Sequence, residues 1–246
     1  MRVAVIENTA VSHLGQVGVA LAEAGAWIEI FQPWNGGSLP AGIAGHDALV
    51  VLGGEQNARA DDSHPYLPDL AALMKAFGDA GKAVLGICLG SQILARAHGA
   101  DNHIGTAPEF GWHDMQPTGD GAKDPVLQAA AGGFPIFEWH SDTFSLPAGA
   151  VHLAASAAVP HQAFRIGRAS YGTQFHFEAS TTVVDAWKTS FPELIDGIAP
   201  GWRDRHADLA ISHGIAADAA GLAMARAWVA LIEVETADAA RVAAAG

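Results

Sequence analysis

Apolar and polar positions in the first hundred residues follow two alternating rhythms. Short, nearly unbroken apolar runs at 3–7, 27–31, 47–52 and 83–87 have the length of buried strands. Between them, apolar residues return at helical spacing. Leu14, Val17, Leu21 and Ala24 define one such face, closing near Gly25, where a helix C-terminus suits glycine. A second helix is expected over 67–80, after a loop rich in Asp, His and Pro, and a third carries Ile93, Leu94 and Ala97 on one face. Strand, helix, strand in strict alternation predicts parallel βαβ units, whose sites lie at the C-terminal strand ends. Gly53-Gly54 and Cys88 both fall at such ends.

The second half changes rhythm. Short strands are expected at 110–117, 134–139, 151–155, 163–166 and 171–175, separated by turn residues, which reads as antiparallel. Helical patterns follow at 181–189, 207–215 and 220–234. No repeat or linker divides the chain, so residues 1–235 read as a single domain and 236–246 as a flexible tail.

Half of the 246 residues are hydrophobic and 16% are charged, enough for a large core. With 13 Lys and Arg against 26 Asp and Glu, the net charge is −13, which argues against a nucleic-acid backbone or an anionic membrane surface as partner. One cysteine rules out an intramolecular disulfide and fits a reducing compartment. The N-terminal apolar run is too short for a signal peptide, and no segment approaches membrane-span length. A soluble, cytoplasmic protein is the expectation.

The one cysteine lies where a strand pattern becomes a helix pattern, in Gly86-Ile87-Cys88-Leu89-Gly90-Ser91-Gln92. Glycines two residues to either side are the spacing of a nucleophile elbow, a turn too tight for side chains beside the nucleophile. The free N–H groups and dipole of the helix start favour a thiolate there. A cysteine nucleophile needs a base, and the base needs an orienting group. Of twelve histidines, His176 stands out because Glu178 follows two positions later in an apolar, strand-like stretch, Gln174-Phe175-His176-Phe177-Glu178. On a strand the two would share a face while Phe175 and Phe177 turn into the core. The other histidines lack metal-ligand spacing, so neither a metal nor another cofactor is expected.

These two segments resemble the class-I (triad) glutamine amidotransferases, and Glu109-Phe110-Gly111-Trp112 with Trp139-His140-Ser141-Asp142-Thr143-Phe144 resemble the GMP-synthase-like branch. The resemblance runs from about residue 3 to 178. Phe177 departs from it, standing where those enzymes commonly have proline. The fold it implies is an open, mostly parallel central sheet with helices on both faces, a flavodoxin-like three-layer α/β arrangement, with a small antiparallel element in the second half. The chemistry it implies is hydrolysis of the glutamine side-chain amide, with Cys88 as nucleophile, His176 as acid and base and Glu178 as its orienting carboxylate. Backbone N–H groups of Leu89 and of Gly53 or Gly54 are the expected oxyanion donors. Gln92, Ser141 and Asp142 are the expected contacts to the substrate's amino-acid end. Ammonia would pass to a separate synthetase subunit, since the chain shows no phosphate-binding loop and too few residues after Glu178 for a nucleotide-activating domain. Two other readings use the same residues: a γ-glutamyl peptidase, and a binding or regulatory module with little turnover.

Overall fold

The fold is that of a computed structural model, described for residues 1–234; the expected tail at 236–246 lies outside the described residues. Strands β1 (Arg2–Ile6), β2 (Trp27–Phe31), β3 (Ala48–Val51) and β4 (Ala83–Ile87) alternate with helices α1 (Gly15–Glu23), α2 (Leu67–Asp79) and α3 (Leu89–Ala97). Then come strands β5 (Asn102–His103), β6 (Glu109–Pro117), β7 (Phe134–His140), β8 (Thr143–Phe144), β9 (Val151–Ala155), β10 (Ala163–Ile166) and β11 (Ser170–Thr173). Helices α4 (Thr181–Ser190), α5 (Pro192–Ile198), α6 (Trp202–Leu209) and α7 (Ile215–Val229) close the described chain.

Nine strands form one mixed sheet in the order β2-β1-β3-β4-β11-β10-β9-β6-β7. The first five pair in parallel and the remainder antiparallel, so the second half of the chain extends the parallel sheet. A separate two-stranded antiparallel sheet joins β5 to β8. Period-two alternation sorts the parallel strands onto two faces. Val3, Val5, Val50, Leu85 and Ile87 pack with Val17, Leu21, Met224 and Trp228 of α1 and α7. Ala4, Ile6, Leu49, Val51 and Val84 pack with Leu70, Met74, Phe77, Ile93 and Leu94 of α2 and α3. Each fully buried Val, Leu or Ile contributes about 1.5–3 kcal/mol, so both layers are held firmly to the sheet. A third cluster, built on Phe137, Val184, Trp187, Ile195 and Trp202, packs α4, α5 and α6 against β7.

Two expectations need correction, and one helix is additional. The strand expected at 171–175 stops at Thr173; beyond it Gln174 donates to the Gln162 carbonyl and His176 to that of Phe137, so the chain leaves the β4 ladder. The last two helices, expected at 207–215 and 220–234, are one helical run from Trp202 to Val229, broken only by a π-helical turn at Ala210–Gly214. The wider turn shifts the apolar phase, and a fixed period reads it as a gap. Helix α5 falls in a stretch the pattern leaves unassigned.

Candidate active site

Three neighbouring strands of the parallel half end at one place. Beyond β3 lies Gly53-Gly54, beyond β4 lies Cys88, and beyond β11 lies His176. The register fixes this convergence: Gly172 and Thr173 sit beside Gly86 and Ile87, and the Cys88 N–H donates to the Thr173 carbonyl at 2.8 Å.

Cys88 occupies the turn into α3 with φ 52° and ψ −110°, a left-handed conformation that costs a non-glycine residue on the order of 1–3 kcal/mol. The turn tolerates no side chain on either flank. A Cβ at Gly86 would lie 2.4 Å from the Gly90 carbonyl oxygen, and one at Gly90 would lie 2.1 Å from that of Val51. Cys88 is 7% exposed, and its thiol donates to the Trp139 carbonyl at 3.7 Å. Leu89 opens α3, so its N–H belongs to the first turn, which has no partner within the helix.

His176 Nδ1 and Glu178 Oε1 are 2.7 Å apart. The pair forms in a bend and turn past the strand end, and Phe175 and Phe177 are fully buried beside it. Backbone bonds lock this turn: the Gln16 N–H donates to the Glu178 carbonyl at 2.9 Å, and Gln16 Nε2 to that of Phe177. Nε2 of His176 is buried and makes no aligned hydrogen bond to a protein acceptor. Burial alone would depress the imidazole; the charges of Glu178 and of Cys88 outweigh it and hold His176 well above the ordinary histidine value. A cation is thereby favoured at the ring between thiol and carboxylate.

Gly53 abuts both groups. A Cβ there would lie 3.2 Å from Cε1 of His176 and 3.4 Å from Cβ of Cys88, while one at Gly54 would press on Gln56, Asn8 and Leu89. The Gly53 carbonyl accepts from Ser12, and Asn8 donates to the Leu52 carbonyl just before it.

The other expected contacts lie on the same cavity wall and are partly engaged with the protein. Gln92 is buried and donates through Nε2 to Gln174 at 3.1 Å and to the Asp142 carbonyl at 3.5 Å. Asp142 Oδ1 accepts from the Gly105 N–H at 2.8 Å and from the Ser141 hydroxyl at 3.1 Å. The cavity measures about 470 Å³ and touches Gly53, Gly54, Cys88, Leu89, Gln92, Ser141, Asp142, His176 and Glu178.

A set of residues not singled out as a unit from the sequence lies beneath that wall. Nε2 of His140 is 3.2 Å from Glu109 Oε2 and equally close to Glu138 Oε2, while Nδ1 faces the Asp142 carbonyl at 3.0 Å. Gln162 and Ser156 donate to Glu109 at 2.6 and 2.7 Å. Burial opposes charge on His140, but bonds to Glu109 and Glu138, with the charges of Glu138 and Cys88, raise its pKa to about 10. Burial pushes the Glu138 carboxyl up. Burial acts the same way on Glu109, but bonds from His140 and Ser156 outweigh it and leave Glu109 lowered. Among the described residues these three alone have donor atoms grouped closely enough, within 4.8 Å, for a metal ion. His140 bonds to Glu109, whereas Glu138 lies at ion-pair distance from His140 and neither of its buried oxygens has an aligned hydrogen-bond partner. Glu138 and His140 are two apart on β7, but no spacing marks Glu109, which meets His140 only across the β6–β7 pairing.

No described helix is long and apolar enough to cross a membrane.

The model of the glutamine amidotransferase class-I family matches residues 20–189. The chain is 31% identical over 163 residues to the glutamine amidotransferase-like protein YfeJ of Salmonella typhimurium, covering 65% of this chain and 67% of that one. It is 29% identical over 153 residues to one subunit of the glutamine-hydrolysing GMP synthase of Methanosarcina acetivorans, 61% of this chain and 74% of that one. Its match to the GMP synthase of Chromobacterium violaceum, 30% over 142 residues, spans only 26% of that longer protein. Among solved structures, a glutamine amidotransferase from Methylobacillus flagellatus superposes with a TM-score of 0.83 at 28% identity, covering 96% of both chains. One from Thermotoga maritima shares the fold, with a TM-score of 0.81 at 24% identity, over 95% of this chain and 99% of that one.

Proposed function

The chain belongs to the class-I glutamine amidotransferase family, and we propose that it is a glutaminase that cleaves the side-chain amide of glutamine through a γ-glutamyl thioester on Cys88. In this proposal residues 1–235 form one such domain. The observation that carries it is the strained elbow holding Cys88 next to an imidazole fixed at 2.7 Å by Glu178.

The Cys88 thiolate attacks the amide carbonyl carbon, forming an S–C bond. The oxyanion that develops needs N–H donors, each typically worth about 2.7–4 kcal/mol in acyl transfer. Leu89 and Gly53 or Gly54 supply them, and a Cβ at Gly53 would crowd Cys88 and His176. The C–N bond then breaks as His176 gives its Nε2 proton to the departing nitrogen, releasing ammonia. A protonated ring at rest suits this first step, which is what the raised His176 value supports. Neutral His176 next takes a proton from water, whose oxygen attacks the thioester; the C–S bond breaks and glutamate leaves. Glu178 holds the ring in one tautomer and balances its charge. Gln92, Ser141 and Asp142 face the substrate's amino and carboxylate groups, with Asp142 suited to the ammonium. The relationship to a GMP synthase subunit supports delivery of the ammonia to a separate synthetase subunit.

A glutamine-mimicking α-chloroketone tests the assignment. The expected result is one adduct on Cys88 by mass spectrometry, lost in Cys88→Ala, together with ammonia release from glutamine. A native protein that resists the chloroketone while a small thiol reagent modifies Cys88 would favour a binding module instead.

A further inference from the structure

The cavity has a polar part, with Gln92, Ser141 and Asp142, and an aromatic wall joined to His176. The His176 ring meets Trp187 edge-on at 5.2 Å, Trp187 meets Trp139 at 5.7 Å, and Trp139 meets Phe191 at 5.4 Å. Helix α5 continues this wall. Phe191, Leu194 and Ile198 stand at i, i+3 and i+7, one helical stripe, and all three line the cavity. The core-facing residue of that helix is Ile195, 1% exposed; Leu194 and Ile198 remain 52% and 49% exposed at the cavity rim. Phe191 is packed on Trp139, whereas Leu194 and Ile198 leave about half of their apolar surface open at the cavity.

Resting on the thioester chemistry proposed above, we infer that the preferred substrate is a γ-glutamyl amide whose amide nitrogen carries an apolar group, alkyl or aryl, seated against Trp187, Phe191, Leu194 and Ile198. Proton transfer fixes the direction. The departing nitrogen must take its proton from Nε2 of His176, and whatever that nitrogen carries then lies against the ring packed on His176, which is Trp187. Unsubstituted glutamine carries nothing there. At liquid water's share of about 30 Å³ per non-hydrogen atom, a generous allowance, its ten atoms need about 300 Å³. The cavity offers about 470 Å³. The reaction balances as before: the S–C bond forms, the C–N bond breaks, the His176 proton goes to the nitrogen, and a primary amine leaves in place of ammonia.

The test is a panel assayed with the purified full chain: glutamine and the γ-glutamyl amides of methylamine, butylamine and benzylamine, with glutamate release read as kcat/KM. Each methylene buried raises kcat/KM about fourfold, so the butyl and benzyl amides should exceed glutamine by at least about tenfold. In the Leu194→Ser/Ile198→Ser variant the ratio of benzylamide to glutamine should fall at least about fivefold. Hydrolysis of glutamine with equal or lower rates for the longer amides overturns this inference and leaves the glutaminase reading standing. A ratio unmoved by the double variant overturns the assignment to this wall. No turnover of any member, with no γ-glutamyl adduct on Cys88, overturns both readings.

Discussion

The strain at the elbow can be measured by removing it. Cys88→Ala and Cys88→Gly both delete the sulfur, and they differ only in a Cβ held at φ 52° and ψ −110°. At an unstrained buried site glycine is the less stable of the two by about 1.5 kcal/mol, summing roughly 0.5–1 kcal/mol of backbone entropy and about 0.8 kcal/mol for a buried methyl group. Glycine accepts the left-handed backbone without penalty, so Cys88→Gly recovers on the order of 1–3 kcal/mol of strain. The expected balance places Cys88→Gly about 0.5 kcal/mol above Cys88→Ala, a swing of about 2 kcal/mol from the unstrained case. Urea unfolding followed by tryptophan fluorescence tests this: for a chain of this size the expected gap between the variants is about 1–2 °C in midpoint temperature, and the swing from the unstrained case about 4–8 °C. A Cys88→Gly protein less stable than Cys88→Ala by more than about 1 kcal/mol would refute a strained nucleophile turn.

The flanking glycines make a harsher test: Gly90→Ala, whose Cβ would lie 2.1 Å from the Val51 carbonyl oxygen, should lose about 3 kcal/mol or more in the same unfolding assay. Proton transfer outweighs orientation, so His176→Ala should lower kcat by about 10²–10⁴-fold and Glu178→Ala by less; equal or reversed losses in steady-state glutaminase assays would undo the roles given to this pair. Stability should depend on His140: its folded pKa of about 10 lies above the ordinary 6.5, so the stabilisation is complete below pH 6.5 and is lost as pH rises through 10. His140→Asn should flatten that part of the alkaline stability curve, measured as unfolding midpoint against pH, and an unchanged curve would mean the imidazole carries no charge in the fold.

Much of this was legible along the chain because it is local. Strands β2, β9 and β10 have the expected bounds, and the elbow announced itself through two glycines, one cysteine and a change of period. His176 and Glu178 were found together, though a turn and not a strand brings them into contact. What escaped the sequence depends on distant partners. Strands β5 and β8 are two residues each and exist only through each other. Glu138 and His140 share a face of β7, but only the β6–β7 ladder brings Glu109 to them. Helix α5 is too short for periodicity to declare, and its apolar stripe takes meaning from the cavity it borders.

The register that seats β11 beside β4 also decides when reactivity can arise. During synthesis the elbow emerges some eighty residues before the strand that carries the imidazole toward it, and until then β4 is an unsatisfied outer edge. A nascent chain arrested before residue 170 would hold the Cys88 sulfur without the imidazole and carboxylate it meets in the fold, and a bare ladder prone to recruit other chains. Cys88, His176 and Glu178 are thereby kept apart in incomplete copies, and the last strand to enter the parallel half assembles them as it seals the sheet.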